Sequence, residues 1–206
     1  LKNEMLRAIA ARHWNKGCDG VYAFNFFGTT WTYNYDNREA VDDIGDPIRL
    51  RHKDKTYLVM RSGDGLSDTS FPNCLESDRQ LPAVVGPDPL TLTIDVADDT
   101  GASADRISVC RLRIHVDNMT NYDEIEVTLN GNRIACVNPM KTGQYMARTM
   151  DQTWLEYDLI FHLPRQGANE ITLQVVKRNE WLVKEFEISI EDVELEIRYE
   201  YPNGIW

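Results

Sequence analysis

The stretch EIEVTLNGNRIACV, residues 124–137, decides the fold class of this chain. Apolar and polar residues alternate in both of its halves, which is typical of strands with one buried face. Asn130-Gly131 separates the halves, and this dipeptide is the strongest short signal for a tight hairpin turn. The stretch therefore predicts two antiparallel strands joined by two residues.

The same alternation recurs on both sides of the hairpin. It is found in segments 90–96, 107–116, 155–163, 170–176 and 186–201, which turn-forming residues separate. About eight short strands with no helix between them are typical of an antiparallel β-sandwich. We therefore predict a mainly β fold class, with a β-sandwich over residues 85–206.

The beginning of the chain has a different pattern. It predicts a helix over 2–16, a buried strand over 19–27, a second short helix over 37–45 and an extended segment over 55–60. This is one α/β unit, and a lone parallel strand would leave both of its edges open. Either the later part of the chain supplies the missing neighbours or further α/β units precede Leu1, and the second explanation is simpler.

Three parts of the chain follow from these patterns. Residues 1–60 form the α/β unit and residues 85–206 the sandwich. Residues 61–84 are predicted to be a linker, because Gly, Ser, Asp and Pro are frequent there and periodicity is weak.

Composition restricts the function. The chain has 206 residues, 42% of them hydrophobic and 27% charged, as in ordinary soluble globular proteins. Its net charge of -11, which lies mostly after residue 80, disfavours nucleic acid and anionic membranes as partners. It suits a neutral ligand, a cation or simply a well-solvated surface. The scattered cysteines do not have zinc-site spacing, and we predict that Cys18 and Cys110 are buried free thiols.

Two phrases in the first part resemble a known family. DGVYAFNFF (19–27) and IGDPIRLRHKDKTYLV (44–59) are similar to the closing end of bacterial glycoside-hydrolase-like TIM barrels, with Arg49 as a departure from the pattern. The resemblance implies that residues 1–60 are the last unit of such a barrel. The missing upstream barrel would then be a partner within the same polypeptide.

The second part resembles another family. VTLNGNRI (127–134) and the later G-x-N-x-I phrase at Gly167, Asn169 and Ile171 are similar to jelly-roll sandwiches of the galactose-binding type. The resemblance implies a jelly-roll order of strands and carbohydrate as the partner. Asn169 is expected to bond its own backbone where a strand begins.

The resemblances point to candidate substrate-binding residues. In a barrel, the carboxyl end of the last strand faces the active site, which singles out Asn25, Phe27, Trp31 and Tyr33. Tyr145 and Trp154 lie in and beside the long loop 138–153 of the sandwich. The alternative is that these aromatic residues pack in the barrel or on the sheet. No catalytic residue is assigned, because glycoside hydrolysis needs two carboxylates that the earlier barrel strands would supply.

No cofactor is predicted, and calcium is the alternative. Oxygen ligands for Ca²⁺ could come from two acidic turns, at Asp98, Asp99 and Asp105 and at Asp117, Asn118 and Asp123. Neither turn has the spacing of an EF-hand, and Asp is common in turns for other reasons.

Three hypotheses about function follow. The first is a non-catalytic C-terminal portion of a glycoside-hydrolase-like protein that is secreted, periplasmic or on the cell surface. The second is a carbohydrate-binding module, and the third is a purely structural domain that stabilises the barrel.

Overall fold

The computed structural model of the chain describes residues 2–22, 38–61, 79–138, 153–179 and 186–200. The helices are α1 (Asn3–Asn15), α2 (Arg38–Ile44) and α3 (Pro47–Leu50), with a 3₁₀ turn at Ala104–Arg106. The strands are β1 (Lys55–Leu58), β2 (Ala83–Val85), β3 (Leu90–Val96), β4 (Ile107–Asp117), β5 (Glu124–Leu129), β6 (Asn132–Ile134), β7 (Thr153–Asp158), β8 (Gly167–Lys177) and β9 (Ile188–Tyr199). The first helix, the short second helix and the extended segment are confirmed.

The strands form two antiparallel sheets. Sheet 1 has the order β1-β9-β4-β7, with β2 also paired to β9, and sheet 2 has the order β3-β8-β5-β6. The pairs are nested along the chain around the β5–β6 hairpin, since β4 pairs with β7, β3 with β8 and β1 with β9. This order is that of a jelly roll. The predicted antiparallel β-sandwich is thus confirmed.

The alternation of apolar residues places the core between the sheets. Along β4, Cys110, Leu112, Ile114 and Val116 are buried on the inner face, and β8 and β9 contribute inward residues in the same way. One contiguous cluster joins inner residues of both sheets. Because every second residue points inward, the register of each pair also fixes which polar residues meet on the outside.

The hairpin turn is built as the sequence predicts. Asn130 and Gly131 have φ values of 50° and 80°, in the left-handed region that a two-residue turn with the matching twist requires. The turn is tied to β8, because the Asn130 side chain donates to Asn169 Oδ1 at 2.8 Å and accepts from Glu170 N at 3.0 Å. The innermost hairpin of the roll is therefore held to the neighbouring strand by side chains.

Side-chain amides cover two strand edges. Gln80 donates to Thr93 O at 2.8 Å and accepts from Thr93 N at 2.6 Å on β3. Asn138 does the same on β7, since it accepts from Glu156 N at 2.6 Å and donates to Trp154 O at 3.2 Å. These contacts satisfy backbone groups that an unpaired edge would otherwise offer to another chain.

The helical part is fastened to the sandwich. Ala8 of α1 belongs to the main core cluster, and Arg12 and Lys16 contact Asp95 of β3 at 3.5 and 3.3 Å. A smaller cluster of Ala10, Ile44 and Leu50 lies within the helical part itself. β1, at the end of the predicted α/β unit, pairs with β9 of the sandwich. The division into three domains stays a prediction.

Lys55 connects the two parts through a buried network. Its side chain is 1% exposed, and its Nζ donates to Leu50 O at 2.7 Å, Lys53 O at 3.1 Å and Asp98 Oδ1 at 2.9 Å. Tyr57 donates to the other oxygen of Asp98 at 2.9 Å. Desolvation lowers the pKa of Lys55, and the Asp98 carboxylate opposes that shift.

Some expectations need correction. The strand predicted over 155–163 ends at Asp158, because the Asp158 carboxylate accepts from Ile160 N and turns the chain. Cys18 is exposed rather than buried, since it follows the end of α1, while Cys110 is buried as expected. Residues 19–22 form no strand, and 23–27 lie outside the described residues, so the partial barrel unit is not shown.

Four core groups hold their protons more tightly than in the unfolded chain. Burial raises the pKa of Cys110 from 9.0 to about 12, and burial likewise raises the pKa of Tyr57, Tyr157 and Tyr199 above 10.0. Above these reference values the unfolded chain releases protons that the folded chain keeps, so stability is lost as pH rises. Lys55 acts oppositely, because its lowered pKa makes its contribution grow as pH rises toward 10.5.

We expect the free energy of unfolding to fall steeply above about pH 10, by about 1.4 kcal/mol per pH unit for each net proton. Urea denaturation between about pH 8 and about pH 11 measures this slope. Tyr157→Phe should make the slope shallower, because it removes one of these groups. Tyr122→Phe, at a position 62% exposed, is the matched control and should leave the slope unchanged. Equal slopes in wild type and Tyr157→Phe would contradict the account.

Candidate functional site

The outer face of sheet 1 gathers an aromatic ring and paired charges. We name this surface the outer platform and define it by six side chains on β4, β7 and β9: Arg113, His115, Trp154, Glu156, Asp192 and Glu194. The register aligns them in two rungs, because His115 lies opposite both Trp154 and Asp192, and Arg113 lies opposite both Glu156 and Glu194. Side chains directly opposite on one face of a sheet are close enough to interact.

Trp154 is held in place by β4. Its ring stacks on the His115 ring, with the centroids 4.9 Å apart and the planes at 13°. The guanidinium carbon of Arg113 lies 4.7 Å from the Trp154 ring centroid, within the range of a cation–π contact. Trp154 itself is half-buried. The ring is thus fixed in orientation and keeps part of its surface in contact with solvent.

His115 lies at the base of the outer platform. The residue is 6% exposed, although it points to the outer side of the sheet. Its Nδ1 lies 3.1 Å from Asp192 Oδ2, and its Nε2 lies 3.9 Å from Asp117 Oδ1. Nε2 is buried and has no hydrogen-bond partner within the part of the chain that the structure describes.

The charged side chains contact one another. Arg113 reaches Glu156 at 3.3 Å and Glu194 at 3.1 Å, one on each neighbouring strand. Arg111 on the next rung reaches Glu156 at 3.7 Å. The charged side chains of the platform therefore form a network of cross-strand ion pairs. Its groups can stack on a ligand and form hydrogen bonds with it.

Of the predicted site residues, the structure places Trp154 in the outer platform. Asn25, Phe27, Trp31, Tyr33 and Tyr145 lie outside the described residues, and their role stays a prediction. Sequence reasoning missed Arg113, His115 and the carboxylates of β9. A signal was present, because these residues occupy the polar positions of CRLRIHV and EDVELEI, but alternation alone does not tell which residues of different strands lie opposite one another.

The first acidic turn, which holds Asp98, Asp99 and Asp105, stabilises the fold. Asp98 accepts hydrogen bonds from Lys55 and Tyr57, and Asp99 accepts from Ala102 N at 3.0 Å within its own turn. Asp105 lies exposed in the 3₁₀ turn. These carboxylates are therefore occupied by protein donors or lie apart.

The second acidic turn is occupied as well. Asp123 accepts from Thr120 N, Thr120 Oγ1 and Asn179 N at 2.7 to 2.8 Å and contacts Arg178 at 3.0 Å. Asn118 donates to Glu187 O, and Asp117 lies near His115. Across the described ranges, no group of three or more His, Cys, Asp or Glu side chains is placed to hold a metal ion.

A separate cavity lies on the helical part. Its volume is about 380 Å³, and its wall is mainly apolar, with Leu6, Ile9, Val21 and Ile44 among the lining residues.

None of the helices that the structure describes is long and apolar enough to cross a membrane.

Among known proteins, the chain has a distant structural similarity to a carbohydrate-active enzyme. No family model and no curated protein matches the chain. Among solved structures it is similar to a β-porphyranase of glycoside hydrolase family 86 from the human gut bacterium Bacteroides plebeius, with 11% identity and a TM-score of 0.46. The match covers 72% of this chain and 21% of that enzyme, so the chain spans about a fifth of its length.

Proposed function

We propose that this chain is a non-catalytic accessory part of a carbohydrate-related protein and that its β-sandwich binds carbohydrate on the outer platform. The observation that carries the proposal is Trp154, an oriented and half-buried indole surrounded by hydrogen-bonding groups. The flat face of an indole packs on the apolar face of a sugar ring. Carboxylates and guanidinium groups beside it can bond the sugar hydroxyls.

The ring is prepared for binding before a ligand arrives. His115 and Arg113 support it from β4, so little conformational freedom is lost when a sugar stacks on it. The carboxylates of the platform are in ion pairs on a sheet face, whereas glycoside hydrolysis needs two carboxylates flanking the scissile bond. The geometry therefore supports binding rather than hydrolysis.

The wider setting is part of the proposal. In it, residues 1–60 close a glycoside-hydrolase-like barrel that precedes this chain in one polypeptide, and the protein is secreted, periplasmic or on the cell surface. The apolar wall of the cavity beside α1 supports a packed neighbour on that side, because exposed apolar surface is stabilised when another part of the protein covers it.

The outer platform is tested by replacing its aromatic ring. Trp154→Ala in the 206-residue chain should weaken binding to a responsive oligosaccharide by about tenfold or more, equivalent to about 1.4 kcal/mol, because the stacking surface is lost. Isothermal titration calorimetry against a panel of oligosaccharides measures the change. Phe161→Ala is the matched control, because Phe161 is an aromatic residue 91% exposed on the turn after β7.

The outcomes separate this proposal from a structural role. Binding that Trp154→Ala weakens and Phe161→Ala does not would support the platform. Equal affinity of wild type and Trp154→Ala would contradict it. If the wild-type chain binds no member of the panel, a sandwich that only stabilises the barrel is favoured. The ion pairs of Arg12 and Lys16 with Asp95, which join the helical part to the sandwich, are consistent with that role.

A further inference from the structure

The arginines at the outer platform are already paired with carboxylates. Arg113 contacts Glu156 and Glu194, and Arg111 contacts Glu156. Arg61, at the end of the described segment before β2, contacts Glu191 at 3.3 Å and Asp192 at 3.4 Å. A sulfate or carboxylate on a ligand would have to displace one of these partners, because a guanidinium binds such groups with the same donor fork.

The carboxylates are paired in the same way. Glu156 and Glu194 face Arg113, and Asp192 faces both His115 and Arg61. A cationic ligand such as an amino sugar would have to compete with these cations for the carboxylates. With Arg61 and Arg111 beside the platform counted, each of its charged side chains contacts a group of opposite charge, and neither sign of ligand finds an unpaired partner among these groups.

The paired side chains of the platform can still form hydrogen bonds with an uncharged ligand. A carboxylate oxygen accepts several hydrogen bonds and a guanidinium has five donors, so paired groups can still bond a hydroxyl. His115 Nε2 adds a buried polar atom that no described group satisfies, and such an atom in a native structure calls for a partner. Hydroxyl groups act as both donors and acceptors, which matches this mixed surface.

We propose that the ligand of the outer platform is an uncharged glycan, bound by stacking on Trp154 and by hydroxyl hydrogen bonds. This inference rests on the proposed function and names its ligand class. The net charge of -11 acts in the same direction against anionic polymers, since it repels them over the distance at which a ligand approaches.

The test compares ligands that differ in charge but share a backbone. Chemically desulfated, neutral carrageenan oligosaccharides are paired with the sulfated carrageenan oligosaccharides from which they are made, and neutral chitin hexasaccharide is paired with its cationic deacetylated form. Calorimetry with the 206-residue chain at about 20 and about 300 mM NaCl gives the dissociation constants. We expect a neutral member to bind at least about tenfold more tightly than its charged counterpart, with less than about a twofold change between the two salt concentrations.

A charge variant makes the test sharper. Glu194→Gln removes one of the two carboxylates that Arg113 contacts, so it should raise the affinity for sulfated relative to neutral oligosaccharide by about threefold or more. Glu170→Gln makes the same change of charge on an exposed position of β8 in sheet 2 and should leave that ratio unchanged.

Three outcomes are decisive. Preferential and salt-insensitive binding of a neutral member supports the inference. A charged oligosaccharide that binds as tightly as its neutral counterpart, and more weakly to Trp154→Ala, would overturn the neutral ligand class while leaving the proposed carbohydrate site intact. Failure of the whole panel to bind would overturn both.

Discussion

Asn169→Ala should lower the free energy of unfolding by about 3 kcal/mol or more, one of the two largest effects that we expect in this chain. Asn169 has no exposed surface, and its amide makes four hydrogen bonds. Nδ2 donates to Arg165 O at 2.8 Å and to Gly167 O at 2.9 Å. Oδ1 accepts from Arg165 N and from Asn130 Nδ2, both at 2.8 Å.

The size of the effect follows from where these partners lie. Alanine would remove all four bonds at once and leave partly buried backbone groups of the turn before β8 without partners, which costs more than a bond between exposed groups. The Asn130 turn, which joins the innermost strands of the roll, would also lose one of the two hydrogen bonds that its side chain makes to β8.

Urea denaturation at neutral pH measures the change in stability. Asn132→Ala is the matched control, because Asn132 is exposed beside the same turn and makes one long contact, 3.5 Å to Leu129 O. We expect it to cost less than about 0.5 kcal/mol. If the two alanine variants lose the same stability, the Asn169 side chain does not hold the hairpin as described.

Asp98→Ala is expected to cost about 3–5 kcal/mol, because it leaves the ammonium group of Lys55 buried without its counter-charge. The lysine would keep its contacts with Leu50 O and Lys53 O, but these carbonyls do not neutralise its charge. Tyr57 would also lose its acceptor. Since Lys55 begins β1 and reaches back to α3, the contact between the helical part and the sandwich should weaken first.

A double-mutant cycle distinguishes the buried charge from simple loss of packing. Lys55→Met combined with Asp98→Ala should be more stable than Asp98→Ala alone, because no uncompensated charge remains. Asp88→Ala, at an exposed carboxylate of the sandwich, controls for a general loss of negative charge. Additive costs for Lys55→Met and Asp98→Ala would contradict the interpretation.

Local chemistry explains how much of the fold the sequence could predict. The Asn130-Gly131 turn, the period-two strands and the bond of Asn169 to its own turn depend on nearby residues, so they were accessible from sequence. The burial of Lys55 could not be predicted from the sequence, because its partner Asp98 is 43 residues away, in the connection that follows β3. The predicted length of the strand over 155–163 was too great, since the hydrogen bond from Ile160 N to the Asp158 carboxylate turns the chain there in spite of the apolar run IFHL.

The candidate site was harder to predict from the sequence than the fold, because it depends on the register between strands. Trp154 was identified as an aromatic residue beside a long loop, but its neighbours follow from the register of three strands. In the β4–β9 pair His115 lies opposite Asp192 and Val116 lies opposite Ile190, so β9 carries one extra residue between them, and period-two reasoning cannot place such an irregularity.

If carbohydrate binds on the outer platform, the indole N–H of Trp154 reports on the binding directly. An amide-and-indole proton–nitrogen NMR titration of the 206-residue chain with the tightest-binding neutral oligosaccharide follows this signal, and Trp154→Phe assigns it. We predict that the Trp154 indole signal moves with ligand concentration, while that of Trp14, whose indole N–H bonds Ile44 O in the helical part, stays in place. A titration that shifts other signals and leaves Trp154 unchanged would contradict the claim.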